Sequence, residues 1–226
     1  MNGGEAFRMF RSFADESDDT FLTDDQVTQY LVQGHREYRN FINGIDPGIF
    51  QSDITVQPNA KFLDLTTTTP VLMGASAVDG TKLDRLVRVA RVNTVTDNEL
   101  IEYLVAAPNE KDVPLWGYCF TNNKIIFGGT TDGAYRIEYI PTFQYTPAAP
   151  AVPVFSSTST AYIDDLDAFH IVFVLMALQY YAIRDGASSG EITGNLSLRK
   201  RELQDFLMEG RHTSGHQFVL ATDFNY

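Results

Sequence analysis

Few side chains in this sequence have the type and spacing to do chemistry, and each also has an ordinary structural use. His212 and His216 are four apart, the spacing that would put two metal ligands on one helical face. A glycine and a helix-avoiding serine lie between them and no acidic third ligand stands beside them, so an exposed hinge is the plainer assignment. Asp164, Asp165 and Asp167 could be imagined as a magnesium cluster. Magnesium sites usually also involve a phosphate-bearing substrate, and carboxylates at the head of a helix are already accounted for by capping and the helix dipole. His170 lies among Phe169 and Phe173 with no identifiable Ser, Cys or Asp partner, which suits a hydrogen-bonded core histidine better than a general base. Cys119, between Tyr118 and Phe120 in an expected strand, suits a small buried hydrophobe. His35 falls on the polar side of the first long helix and needs no special role. Arg199, Lys200 and Arg201 are neutralised by Glu202, Asp205 and Glu209, as on a solvated helix face. There is no nucleophile elbow, phosphate loop, dinucleotide-binding glycine pattern or zinc-binding helix signature. The sequence thus assigns no catalytic residue, no metal ligand and no cofactor.

The elements around these residues are more legible. Residues 1–22 form a polar, acidic arm, read as a frayed terminus; Phe7, Phe10 and Phe13 offer the alternative of a segment that orders against a neighbour. A helix is expected from about Thr23 to Asn43. Thr23 and Gln26 form a capping box, Asp24 and Asp25 suit the positive end of the dipole, and Val27, Tyr30, Leu31, Tyr38, Phe41 and Ile42 make one apolar stripe. Gly44 is the expected stop, reinforced by Pro47. From residue 53 to 140 the period changes to that of a small, largely antiparallel sheet domain. Tyr135, Ile137 and Tyr139 alternate with Arg136 and Glu138; Leu86 to Asn93 alternates imperfectly; WGYCF and KIIFG flank an Asn-Asn turn. Shorter strands are expected at Ile54 to Val56 and Phe62 to Leu65, and Leu100 to Ala107 fits either strand or helix. A Gly/Thr-rich loop is expected between Thr66 and Lys82.

Four prolines between Pro141 and Pro153 mark a semi-rigid boundary, giving a linker over residues 141–161. Residues 162–211 carry two more helices. The first, from about Asp164 to Asp185, is apolar on nearly all sides and so must lie in the core or between subunits. The connection DGASSGEITGN then leads to a charged helix from about Leu196 to Glu209, with Leu196, Leu203, Phe206 and Leu207 inward. Residues 212–226 form a tail with an apolar segment, Gln217 to Leu220.

Composition bounds the whole. With 226 residues, 44% hydrophobic and 20% charged, the chain can bury about 70% of its unfolded surface without staples. Cys119 is the single cysteine, which excludes an internal disulfide framework. No apolar run reaches the roughly 18 residues of a membrane span, and the amino terminus lacks the apolar core of a secretory signal, so a chain that stays in the cytoplasm is expected. A formal net charge of −12 disfavours tight, sequence-independent DNA binding but suits a wall past which DNA slides.

The order of these parts is their most informative property. A capped helix leads into a small sheet ending in IEYIP; DDLDAFHIVFVLMALQYYAIRDG and LRKRELQDFLMEGR follow. The arrangement resembles the head-to-tail adaptor proteins of tailed bacteriophages, the group called tail tubular protein A among them. The resemblance spans roughly Thr23 to Arg211 and is one of pattern, with no invariant motif behind it. It implies an α+β fold, a helical bundle of about three main helices with an inserted antiparallel sheet domain and a mobile carboxy-terminal tail. It also implies a structural virion protein without catalysis: a ring, commonly twelve-fold, in the neck between the portal and a downstream tail protein, through which DNA passes. In that setting the all-round apolar helix would be shared between its own core and the next subunit, and the tail would dock on the portal. A metal-dependent or small-molecule enzyme with a site near the Asp-rich helix start, or a tail-tube or neck protein one step lower in the particle, are the competing expectations.

Overall fold

The structure, a computed structural model, describes residues 1–14, 22–57, 62–92, 99–105, 113, 115, 117–128, 133–146, 152–185 and 190–213. The protein is α+β. One unit consists of Met1–Ile49 together with Tyr145–Tyr226; Phe50–Gln144 forms a second unit within that sequence, slightly wider than the expected 53–140.

The first unit is helical. Helix α1 (Gly3–Phe13) starts with a capping box, Asn2 accepting from the Glu5 N–H at 2.9 Å while Glu5 accepts from that of Asn2 at 2.8 Å. It buries Phe7 and Phe10 and leaves Phe13 half exposed. The frayed arm is therefore corrected over these residues: α1 packs on α2 and α3 of its own chain. The acidic run at 15–19 lies outside the described residues. Helix α2 (Asp24–Ile45) begins at the expected Thr23/Gln26 box, with bonds of 3.3 and 3.1 Å. Gly44 does not stop it. The chain turns out one residue beyond Ile45 through an extended Asp46, whose N–H bonds the Ile42 carbonyl, so no left-handed residue is required.

Helix α3 (Ile171–Asp185) starts seven residues later than expected, after a 3-10 turn at Asp167–Phe169. Every side chain from Val172 to Leu178 is buried, and Ile183 is the large apolar residue left exposed. Helices α1, α2 and α4 (Gly190–Thr213) all pack against it. Of the two placements expected for this helix, the core or a boundary between subunits, Val172 to Leu178 take the core of their own chain. Helix α4 begins at Gly190, inside the expected flexible connection, and runs on through residues assigned to the hinge. Leu196, Leu203 and Leu207 face inward as expected, but Phe206 is half exposed, its ring centred 5.0 Å from that of Phe169.

The second unit is a seven-stranded sheet in the order β1-β7-β3-β4-β5-β6-β2, from β1 (Ser52–Val56), β2 (Phe62–Asp64), β3 (Leu83–Val92), β4 (Glu99–Val105), β5 (Gly117–Thr121), β6 (Lys124–Phe127) and β7 (Ala134–Pro141). All pairings are antiparallel except β4 with β5, which run parallel over two residue pairs. Residues 99–105 resolve to strand. Tyr135, Ile137 and Tyr139 are buried, while Arg136 and Glu138 reach Asp53 and Arg88 at 3.9 and 3.3 Å. The imperfect alternation of β3 has a cause in two register shifts against β7, at Leu83/Arg85 and Leu86/Arg88. The β5–β6 hairpin closes on Asn122 and Asn123 at φ 49° and 61°, the left-handed pair a type I′ turn demands. The loop after Thr66 is pinned by the buried Leu72, whose N–H bonds the Leu65 carbonyl at 3.0 Å and whose carbonyl accepts from Leu83 at 2.8 Å.

The tightest approach in the helical unit is at Gly34 of α2. A β-carbon there would lie 2.4 Å from the Phe173 carbonyl oxygen and 2.7 Å from the Ala177 nitrogen. Gly34→Ala is expected to lower stability by about 1–3 kcal/mol through overpacking. Gly44→Ala, with open space at the same kind of helical position, is expected to gain up to about 1 kcal/mol of helix propensity. Urea unfolding of the two variants tests the pair.

Candidate functional site

The titratable groups that the fold brings together lie beneath the start of α3. Because α3 begins only at Ile171, Asp164, Asp165 and Asp167 are not its capping residues. They occupy the turn that leads into it. Asp164 folds back: one oxygen accepts from the Leu166 N–H at 2.8 Å and from His170 Nε2 at 2.6 Å. His170 has no exposed surface, and its Nδ1 stands 3.3 Å from an Asp167 oxygen, off hydrogen-bonding geometry. Asp167 also takes the Met1 amine in a short ion pair, which holds its carboxyl below the usual range. Asp165 points elsewhere, accepting from the Tyr162 hydroxyl at 2.8 Å and pushing that phenol up to about 12. The three aspartates are therefore separated into three tasks, and among the described residues no group of three or more His, Cys, Asp or Glu side chains is arranged to hold a metal ion.

Behind His170 lies an aromatic chamber. Tyr38 of α2 sits edge-on to His170 at 6.4 Å and to Phe173 at 5.8 Å. Burial, and then the Asp164 carboxylate, push its phenol well up. His35, one helical turn earlier, is fully buried among Tyr145, Phe155 and Phe173, with ring centres 5.4–5.7 Å away. Its Nδ1 is 3.1 Å from the Tyr145 hydroxyl. The polar-side assignment of His35 is corrected. Leu31, His35, Tyr38 and Ile42 follow one helical stripe, and that spacing was the signal available in the sequence. Burial drives the His35 pKa well below its ordinary value, with Arg39 and His170 adding to the shift.

An Asp–His pair has the parts of a general base with its orienting carboxylate. Here the imidazole is sealed and its near neighbours are rings, so the pair acts as a strut that closes the 164–170 turn on itself. His170 is the hydrogen-bonded core histidine that its surroundings suggested, but the expectation that it has no Asp partner is corrected, because the turn before α3 brings Asp164 to its Nε2. Cys119 is buried in β5 as expected. Arg199 pairs with Glu202 at 2.7 Å on an exposed face of α4. His216 and Gln217 to Leu220 lie outside the described residues, as does the side chain of His212. No helix among the described residues is long and apolar enough to cross a membrane. No protein-family model matches the chain, and no curated protein matches it.

Asp164→Ala would leave the buried His170 Nε2 without its acceptor, and a loss of about 1–3 kcal/mol is expected in chemical denaturation. His35 gives a pH signature. Its folded pKa is lowered, so its contribution is complete above the unfolded value near 6.5 and is lost as pH falls below it. Between pH 7.5 and 5.5 the unfolding free energy is expected to drop by about 1 kcal/mol on this account. In His35→Phe that part of the slope should vanish, whatever the variant's absolute stability.

Proposed function

We propose that this chain is a head-to-tail adaptor of a tailed bacteriophage, a structural virion protein that stands between portal and tail as a ring through which DNA passes. The observation that carries this reading is the division of the chain: residues 1–49 and 145–226 form one helical unit, and a sheet unit is inserted between them. A helical bundle interrupted by a β insertion is the organisation the resemblance implies. The acidic balance, 29 Asp and Glu against 17 Lys and Arg, supports a channel wall that does not grip DNA.

The burial of α3 within its own chain removes one argument for the ring, so contacts between neighbouring copies must come from other surfaces. In this reading the portal organises the assembly, and a twelve-fold ring closes on it. A place one step lower in the tail would use the same organisation and differ in its partner. An enzymatic reading draws no support from the Asp164–His170 pair, which is closed to any solvent-borne substrate.

When the full chain is mixed with the portal protein of its own phage, binding and closed rings are expected in electron micrographs. Absence of both overturns the adaptor reading; binding to a tail component instead of the portal moves the protein one step down.

A further inference from the structure

We propose that the outer face of α4 is a contact between two copies of this chain, lying antiparallel about a two-fold axis midway between Arg201 and Asp205. Along α4 the inward stripe is narrow: Leu196, Leu203 and Leu207 are its buried residues. On the opposite side Leu198 and Met208 are 55% and 45% exposed, with Arg201 and Asp205 exposed between them. Leu198, Arg201, Asp205 and Met208 are spaced three, four and three apart, the seam positions of a heptad. Neither Arg201 nor Asp205 is engaged by another described side chain, whereas the neighbouring Arg199 is held by Glu202. Phe206 lies on the flank against Phe169 and is not part of the seam.

Charge selects both the occupant and its direction. Two parallel copies of this seam would set Arg201 against Arg201 and Asp205 against Asp205. Turning one copy around places Arg201 against the partner's Asp205 and Leu198 against the partner's Met208, each pair occurring twice. Such reciprocity is the condition for a two-fold contact, and the like-charge clash of the parallel arrangement works against the alternative. Four seam residues a side make a contact smaller than the roughly 1,200 Å² of stable complexes. The dimer is therefore weak and concentration-dependent. It is independent of the adaptor reading, since a ring repeats head to tail and this contact closes on itself.

Sedimentation equilibrium of the full chain over a range of concentrations tests it. The mass is expected to rise from 25.3 kDa towards twice that value and no further. Arg201→Asp and Asp205→Arg should each weaken association by about tenfold or more, because each sets like charges together. The double variant carrying both changes should associate again, while Leu198→Asp should not. All these positions are exposed, and circular dichroism would verify that the variants fold. A wild-type chain that stays single throughout, a mass beyond the dimer, or a double variant no better than the single ones overturns the proposal. Portal binding by the Arg201→Asp variant separates this result from the adaptor test.

Discussion

The helical unit is organised by the need to take α3 out of water. Seven consecutive buried residues, Val172 to Leu178, leave these two turns no face to present to solvent, so neighbours are required on every side of them. The closest of these is α2, and Gly34 sets how close: its missing side chain lets the backbone of α2 approach the Phe173 carbonyl and the Ala177 nitrogen. Helices α1 and α4 complete the cover. The start of α1 lies close against the segment at 159–161, because a β-carbon at Gly4 would fall 2.5 Å from the Ser159 carbonyl oxygen, and the N–H groups of Gly3 and Gly4 bond the carbonyls of Ala161 and Ser159. Arg11 then bridges to the Leu22 carbonyl and to Asp24, holding the end of α1 to the start of α2.

Once α3 is enclosed, polar side chains trapped beside it need partners from the chain. His170 is met by Asp164, and this is why the aspartates sit in a turn ahead of the helix instead of within it. A helix begun at Asp164 would carry that carboxylate away from the imidazole. His35 is met differently, by rings and the Tyr145 hydroxyl, and remains neutral for want of solvation. The two histidines thus serve one purpose with different partners, a carboxylate for one and a hydroxyl with rings for the other.

Legibility followed the locality of each cause. The Thr23 cap, the alternation of β7 and the Asn122–Asn123 turn are set by residues within a few positions of one another, and all three stand in the structure as the sequence implies. The helix boundaries at Asp164 and Gly44 did not, because each depends on a later tertiary contact or a change of chain direction. His35 was obscured by its type: a histidine counted as polar breaks a stripe that its spacing completes. Helix α1 carried an Asn2/Glu5 box and two phenylalanines three apart, signals outweighed by the acidic run that follows them. For the site the limit was deeper. Asp164 and His170 are only six apart, yet nothing local says whether a helix or a turn joins them, and that choice decides whether they meet.

The same enclosure changes how function should be sought. A greasy helix in a sequence suggests a surface shared between subunits, but burial is satisfied here within one chain, so the chain owes nothing further to a neighbour on that account. The surface still carries apolar side chains whose exposure the fold tolerates without requiring it, such as the half-exposed Leu198 and Met208. Contacts of that kind are small and polar at their margins, and they form and release without unfolding anything. A complete core with modest outer side chains divides the work: stability resides in the enclosed helices, and association is left to the surface.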